Sequence, residues 1–140
     1  MTHHLLKPIA ILLIMLFAIG LTCAGSVPQS TQTGGIVELS SEDAGRTVTM
    51  HPADQLEVVL DGNPTTGYQW EITSVDSAIL KPIGEAEFRP DSSALGAGGK
   101  VVLHFEALVP GKTILRLIYH RSFEQDVPPL KTFEVEIEVK

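Results

Sequence analysis

Phe133-Glu134-Val135-Glu136-Ile137-Glu138-Val139-Lys140 closes the chain in strict alternation, with apolar residues at the odd positions and charged residues between them. Successive side chains of an extended strand point to opposite faces, so this pattern gives one apolar face and one solvated face. The same period runs back through the chain. Thr113, Leu115, Leu117 and Tyr119 alternate with Ile114, Arg116, Ile118 and His120, and Val101, Leu103, Phe105 and Ala107 with Val102, His104, Glu106 and Leu108. Tyr68, Trp70 and Ile72 alternate with Gln69, Glu71 and Thr73, and Leu56, Val58 and Leu60 with Glu57, Val59 and Asp61; Thr47-Val48-Thr49-Met50 is a shorter example. No stretch after Ile36 keeps a helical stripe for three turns. Short strands punctuated by Pro and Gly predict an all-β fold, an antiparallel β-sandwich.

Composition narrows the function classes. The 140 residues are one domain's worth once a processed segment is removed. The formal net charge is −7, and the basic residues are scattered from Lys7 to Lys140 without a stripe. That argues against a nucleic-acid partner, whose phosphates require clustered Lys and Arg. Cys23 is the single cysteine, which excludes an intramolecular disulfide and a cysteine-based zinc site. No His, Asp or Glu cluster has metal-ligand spacing, so no metal and no cofactor is expected. Catalysis has little support either. Residues 36–140 hold no thiol, His51, His104 and His120 lie apart, and no Gly-x-Ser-x-Gly elbow is present.

Residues 1–25 read as a targeting segment. Lys7 precedes an apolar run from Ile9 to Leu21, and small residues follow from Thr22 to Ser26. As a helix that run spans only about 20 Å, short of the roughly 30 Å hydrocarbon core, which disfavours a transmembrane helix. Cleavage after Ala24 or Gly25 would discard Cys23. Alternatively, Gly20-Leu21-Thr22-Cys23 is an imperfect lipoprotein box and Cys23 a lipidation candidate; a lone Cys at the end of an apolar run tips the reading toward membrane anchoring. Either way the protein is expected to be exported, as a cell-surface lipoprotein or a secreted or periplasmic protein. Residues 26–35 are an uncharged Ser/Pro/Gln/Thr/Gly linker, and residues 36–140 form the domain.

The most unusual stretch within the domain is Asn63-Pro64-Thr65-Thr66-Gly67-Tyr68-Gln69-Trp70. It separates two strand-like runs. Pro64 fixes its own φ and biases Asn63 toward extended geometry, and Gly67 can take positive φ. No charge sits between Asn63 and Trp70, where an ordinary solvated turn would tolerate one. A stiff, uncharged tip suits insertion into a narrow groove. If consecutive strands run in opposite directions and Leu80–Phe88 is one traverse, two further loops emerge at the same end, 89–99 and 121–131. Three loops on one edge is the way antibody variable domains meet a partner.

Each piece also has a plainer reading. An Asn-Pro-x-x-Gly segment alone is usually only a turn. Gly96-Ala97-Gly98-Gly99 alone is equally a flexible loop, and no helix pattern follows it to cradle a phosphate. Arg121 and Phe123 could be a solvated charge and a loop anchor. Tyr68 and Trp70 share the inward parity of their strand and read as core supports.

Taken together, Asn63-Pro64-Thr65-Thr66-Gly67-Tyr68 with Trp70, Gly96-Ala97-Gly98-Gly99 and Arg121-Ser122-Phe123 resemble the three signatures of the chagasin-type inhibitors of cysteine peptidases. Ser122 stands where the family usually has Pro. The resemblance covers most of the chain beyond the linker. It implies an immunoglobulin-like β-sandwich that is not an enzyme, acts as a monomer, and inhibits papain-family cysteine peptidases tightly and reversibly. It implies that Thr65, flanked by Asn63, Pro64, Thr66 and Gly67, lies at the enzyme's catalytic Cys and His. Gly96, Ala97, Gly98 and Gly99 would then lie along one side of the cleft, with Arg121 and Phe123 on the other. The competing expectation is a cell-surface adhesion or ligand-binding module that uses the same edge.

Overall fold

Eight strands follow one another in the computed structural model, which describes residues 34–124 and 126–140. They are β1 (Ile36–Ser40), β2 (Thr47–Met50), β3 (Gln55–Gly62), β4 (Gln69–Ser74), β5 (Leu80–Pro90), β6 (Gly99–Ala107), β7 (Gly111–His120) and β8 (Lys131–Val139). The segment 1–25, Cys23 and all but the last two residues of the 26–35 linker lie outside the described residues.

The strands form two four-stranded sheets, ordered β1-β3-β6-β5 and β2-β8-β7-β4. Their inner faces carry the alternating apolar residues and meet in one core. Leu56, Phe105, Leu115, Leu117 and Ile137 are fully buried, and the glutamates of β8 face outward. The architecture is the expected immunoglobulin-like sandwich, with one correction. It is not wholly antiparallel: β1 runs parallel to β3, and β2 parallel to β8.

The reason is how the chain changes sheets. Every strand reverses the direction of the one before it, as expected. The chain crosses between sheets after β1, β2, β3, β4 and β6, however, so an odd strand can settle beside an odd one and an even strand beside an even one. The turn at Ser41–Asp43, a single 3-10 turn, makes the first crossing. Ser40 caps it by accepting from Glu42 N, and the Asp43 carboxylate accepts in return from Ser40 N at 2.9 Å. That backbone hydrogen bond is the main cause holding the Asp43 carboxyl below the usual carboxylate range.

Leu80 to Pro90 is one traverse, kinked by a register shift between Ile83 and Glu87, where Gly84 has φ +65°. The connections after β3, β5 and β7 therefore leave the same end of the sandwich.

Candidate functional site

Three loops occupy that end: the central loop 63–68, the β5–β6 loop 91–98 and the β7–β8 loop 121–130. The central loop is a 3-10 turn at Pro64–Thr66. Asn63 is its N-cap, Pro64 supplies the pre-set φ, and Gly67 ends it in the left-handed region at φ +79°. Gly67 N donates to Pro64 O at 3.0 Å, and the Thr66 hydroxyl donates to Asn63 O at 2.6 Å. Pro64, Thr65, Thr66 and Gly67 are all exposed.

Asn63 ties the three loops together. Its Oδ1 accepts from Thr65 N at 3.2 Å and from the Thr65 hydroxyl at 2.6 Å. Its Nδ2 donates to Gly96 O, 3.0 Å away in the β5–β6 loop. Its backbone N–H donates to the Tyr119 hydroxyl at 2.7 Å, near the end of the strand that leads into the β7–β8 loop. Tyr119 is buried, stacks on Tyr68 with centroids 5.3 Å apart, and lies 5.1 Å from the Trp70 ring. Trp70 in turn donates from Nε1 to Asp61 O at 3.1 Å, bracing the two strands that flank the central loop. Tyr68 and Trp70 are half-buried supports, as their parity implies.

Arg121 fastens the third loop. Its Nε donates to Thr66 O at 3.1 Å, its guanidinium stands 4.4 Å over the Tyr68 ring, and it pairs with Glu124 at 2.9 Å. The hydrogen bond that Arg121 donates to the Glu124 carboxylate is the main cause raising the Arg121 pKa above its usual value. Ser122 gives this loop none of the stiffness of a proline. Three contacts from one side chain restrain it instead.

Phe123 is 71% exposed, and one edge of its ring lies beside Gly67, where an added Cβ would sit 3.2 Å from it. In the β5–β6 loop Gly96 is exposed with φ +78°, Ala97 and Gly98 are half-buried, and Gly99 is buried as the first residue of β6. A Cβ on Gly99 would stand 2.2 Å from Arg89 O, so the two strands can close there only around glycine.

The edge also holds a residue that the sequence reading passed over. Leu95, just before Gly96, is fully exposed at the tip of the β5–β6 loop. A leucine standing alone in Ser92-Ser93-Ala94-Leu95-Gly96-Ala97 was the available signal. Val127 and Leu130, also exposed, extend the apolar surface of the third loop beyond Phe123. Two depressions border the central loop. One, of about 220 Å³, is lined by Pro64, Tyr68, Trp70, Ala86 and Phe88 and is apolar. The other, of about 330 Å³, is lined by Asp61, Asn63, Asp91, Tyr119 and Lys131 together with Gly62, Gly98 and Gly99. Asp61 is held by the Lys100 ammonium, the main cause lowering its pKa from the usual carboxylate value.

The edge therefore offers a rigid uncharged turn with exposed apolar residues on both sides. Among the described residues of the edge, no nucleophile is paired with a base. Such a surface can dock into a cleft.

Known proteins share this arrangement of sequence. The profile described as chagasin family peptidase inhibitor I42 matches residues 49–137. Amoebiasin-1 of Entamoeba histolytica is 26% identical over 107 residues, covering 74% of this chain and 100% of that protein. Chagasin of Trypanosoma cruzi is 31% identical over 83 residues, 56% of this chain and 76% of that protein. Among solved structures, a cysteine protease inhibitor from Entamoeba histolytica matches with a TM-score of 0.65 at 21% identity, covering 76% of this chain and 96% of that one, and supports the fold.

Proposed function

The chain belongs to the chagasin family of peptidase inhibitors, and on that premise we propose that it inhibits papain-type cysteine peptidases by closing their cleft with these three loops. It is an inhibitor and not an enzyme. In this reading Thr65 stands at the catalytic Cys and His. Leu95 with Gly96, Ala97, Gly98 and Gly99 lies along one side of the cleft, and Arg121 and Phe123 lie along the other.

The observation that carries the reading is the bonding of the edge to itself. Asn63 joins the central loop to Gly96, and Arg121 joins it to the third loop. A surface already fixed in its bound shape loses little entropy on docking, which favours tight association. A 3-10 turn is also a poor substrate. The residues near the dyad are closed into a turn by Gly67 N and Pro64 O, so the chain is not laid out as the extended strand a peptidase cuts. Inhibition is then reversible, and the inhibitor is released intact.

Titration of papain with the purified protein tests this. Stoichiometric, reversible loss of activity with an uncleaved inhibitor is expected. Full papain activity at micromolar inhibitor would end the reading.

For the N-terminal segment, we propose export directed by residues 1–25 and anchoring through lipidated Cys23, with the folded domain a monomer. The support is sequence alone: the apolar run, the small residues and the single cysteine at its end. The full-length protein should label with fatty acid and sediment with membranes, and Cys23→Ser should do neither. An exported wild type that begins at Ser26 would refute the anchor.

A further inference from the structure

We propose that His120 and Glu71 form a proton-operated latch behind the inhibitory edge, which positions the third loop and makes the inhibitor bind more tightly in acid than at neutral pH. This rests on the reading of the edge as peptidase-binding.

His120 is the last residue of β7, directly before Arg121, and its register partner is Gln69, the first residue of β4. Its Nε2 lies 2.5 Å from Oε2 of Glu71, two residues further along β4. The pair therefore clamps β4 to β7 at the point where the central loop enters one strand and the third loop leaves the other. The His120 side chain is 22% exposed and Glu71 51%, so solvent reaches both and protons exchange freely. Beyond the clamp, Arg121 holds Thr66 O, so a shift of His120 is passed to both loops.

The sign follows from the donor. An imidazolium always donates from Nε2, and the bond to a carboxylate is then charge-assisted. A neutral ring donates from Nε2 in only one of its tautomers, and without the charge. Histidines change charge between about pH 5 and 8. The latch is thus stronger with the ring protonated than with it neutral.

The groups around the ring on each packed element do not reverse this. On β4 they are Glu71 and the neutral Gln69. On β8, Thr132 is neutral, and Glu134 is already bonded to Arg116. Lys131 lies against the Tyr119 ring, and in the third loop Arg121 is paired with Glu124.

The test is the dissociation constant for papain at pH 5.5 and 7.5, measured for wild type, His120→Gln and His120→Arg. Comparing variants at each pH cancels protonations on the enzyme. At pH 5.5 wild type should bind about threefold more tightly than His120→Gln, the scale of a half-exposed ion pair, and at pH 7.5 the two should converge. His120→Arg carries a permanent charge and should keep the full advantage at both pH values. A merely structural histidine would give neither the convergence nor the rescue. A constant wild-type to His120→Gln ratio, or an Arg variant as weak as Gln, would overturn the latch. If wild type inhibits papain at neither pH, the peptidase reading fails separately. Hydrogen exchange then decides the latch: the protection factor of the Glu124 amide, which donates to Arg121 O, should fall from pH 5.5 to 7.5 in wild type and not in His120→Gln. Equal protection in both would overturn it.

Discussion

Thr65→Arg is expected to weaken inhibition of papain by roughly thirtyfold or more, a loss of about 2 kcal/mol, while the protein stays folded. Thr65 is exposed at the tip of the central loop. Its internal bonds are to Asn63 alone: the backbone N–H, which any residue keeps, and the hydroxyl at 2.6 Å. Replacing it should therefore move stability by only about 0.5 to 1 kcal/mol, the scale of one partly exposed hydrogen bond. The complex is different. A tip built from Pro64, Thr65 and Thr66 is small and uncharged, and an arginine there adds a long charged side chain that must be desolvated in a groove. Papain titration beside a thermal melt separates the two effects. Undiminished inhibition by folded Thr65→Arg would show that this turn does not enter the cleft.

The strands were legible because their cause is local. A buried face and a solvated face force period 2, and β3, β6, β7 and β8 each bury enough apolar residues to display it. Two features were not. Ile36-Val37-Glu38-Leu39 offers only a brief alternation, and its place beside β3 depends on the chain changing sheets, which no local pattern encodes. Val102 is buried despite its outward parity, in register with Val59 of β3 and Glu87 of β5.

The loops divide in the same way. That 63–68, 91–98 and 121–130 share an end follows from strand counting. What holds them there does not, since Asn63 reaches Gly96 and Tyr119 across 33 and 56 residues of sequence. The sequence marks Asn63 as a helix-capping type and Arg121 as a charge. Only their partners show that both fix the loops in place. Asn63 spends its side chain on Thr65 and Gly96, and so positions the edge. The missing proline at Ser122 suggests a loose third loop, and the sequence gives no sign that Arg121 compensates by bonding to Thr66 O. Leu95 was not legible because a lone leucine before Gly96-Ala97-Gly98-Gly99 has no periodicity to say whether it is buried or, as here, fully exposed.

Gly67→Val should reduce stability and inhibition together, and the two losses have separate origins. Gly67 has φ +79°, a conformation that a β-branched residue adopts only under strain of about 1 to 3 kcal/mol. A drop of roughly 2 kcal/mol in unfolding free energy is expected, which for a domain of this size lowers Tm by about 8 to 15 °C. The second cost is contact. A Cβ at this position would stand 3.2 Å from the Phe123 ring and 3.9 Å from Arg121 Nε. Valine's further methyl groups would push the third loop off the central one and endanger the bond from Arg121 to Thr66 O. The structure says the loops are one surface, so inhibition should fall more than tenfold even at temperatures where the variant is fully folded. Gly67→Asn isolates the second term. Asparagine tolerates the left-handed region, so most of the stability should return. Its Cβ still crowds Phe123, so inhibition should recover only in part. Melting curves and papain titration of both variants decide the matter. If Gly67→Asn recovers stability and inhibition equally, the role of Gly67 is backbone geometry alone, and the close fit of the third loop against it contributes nothing to binding.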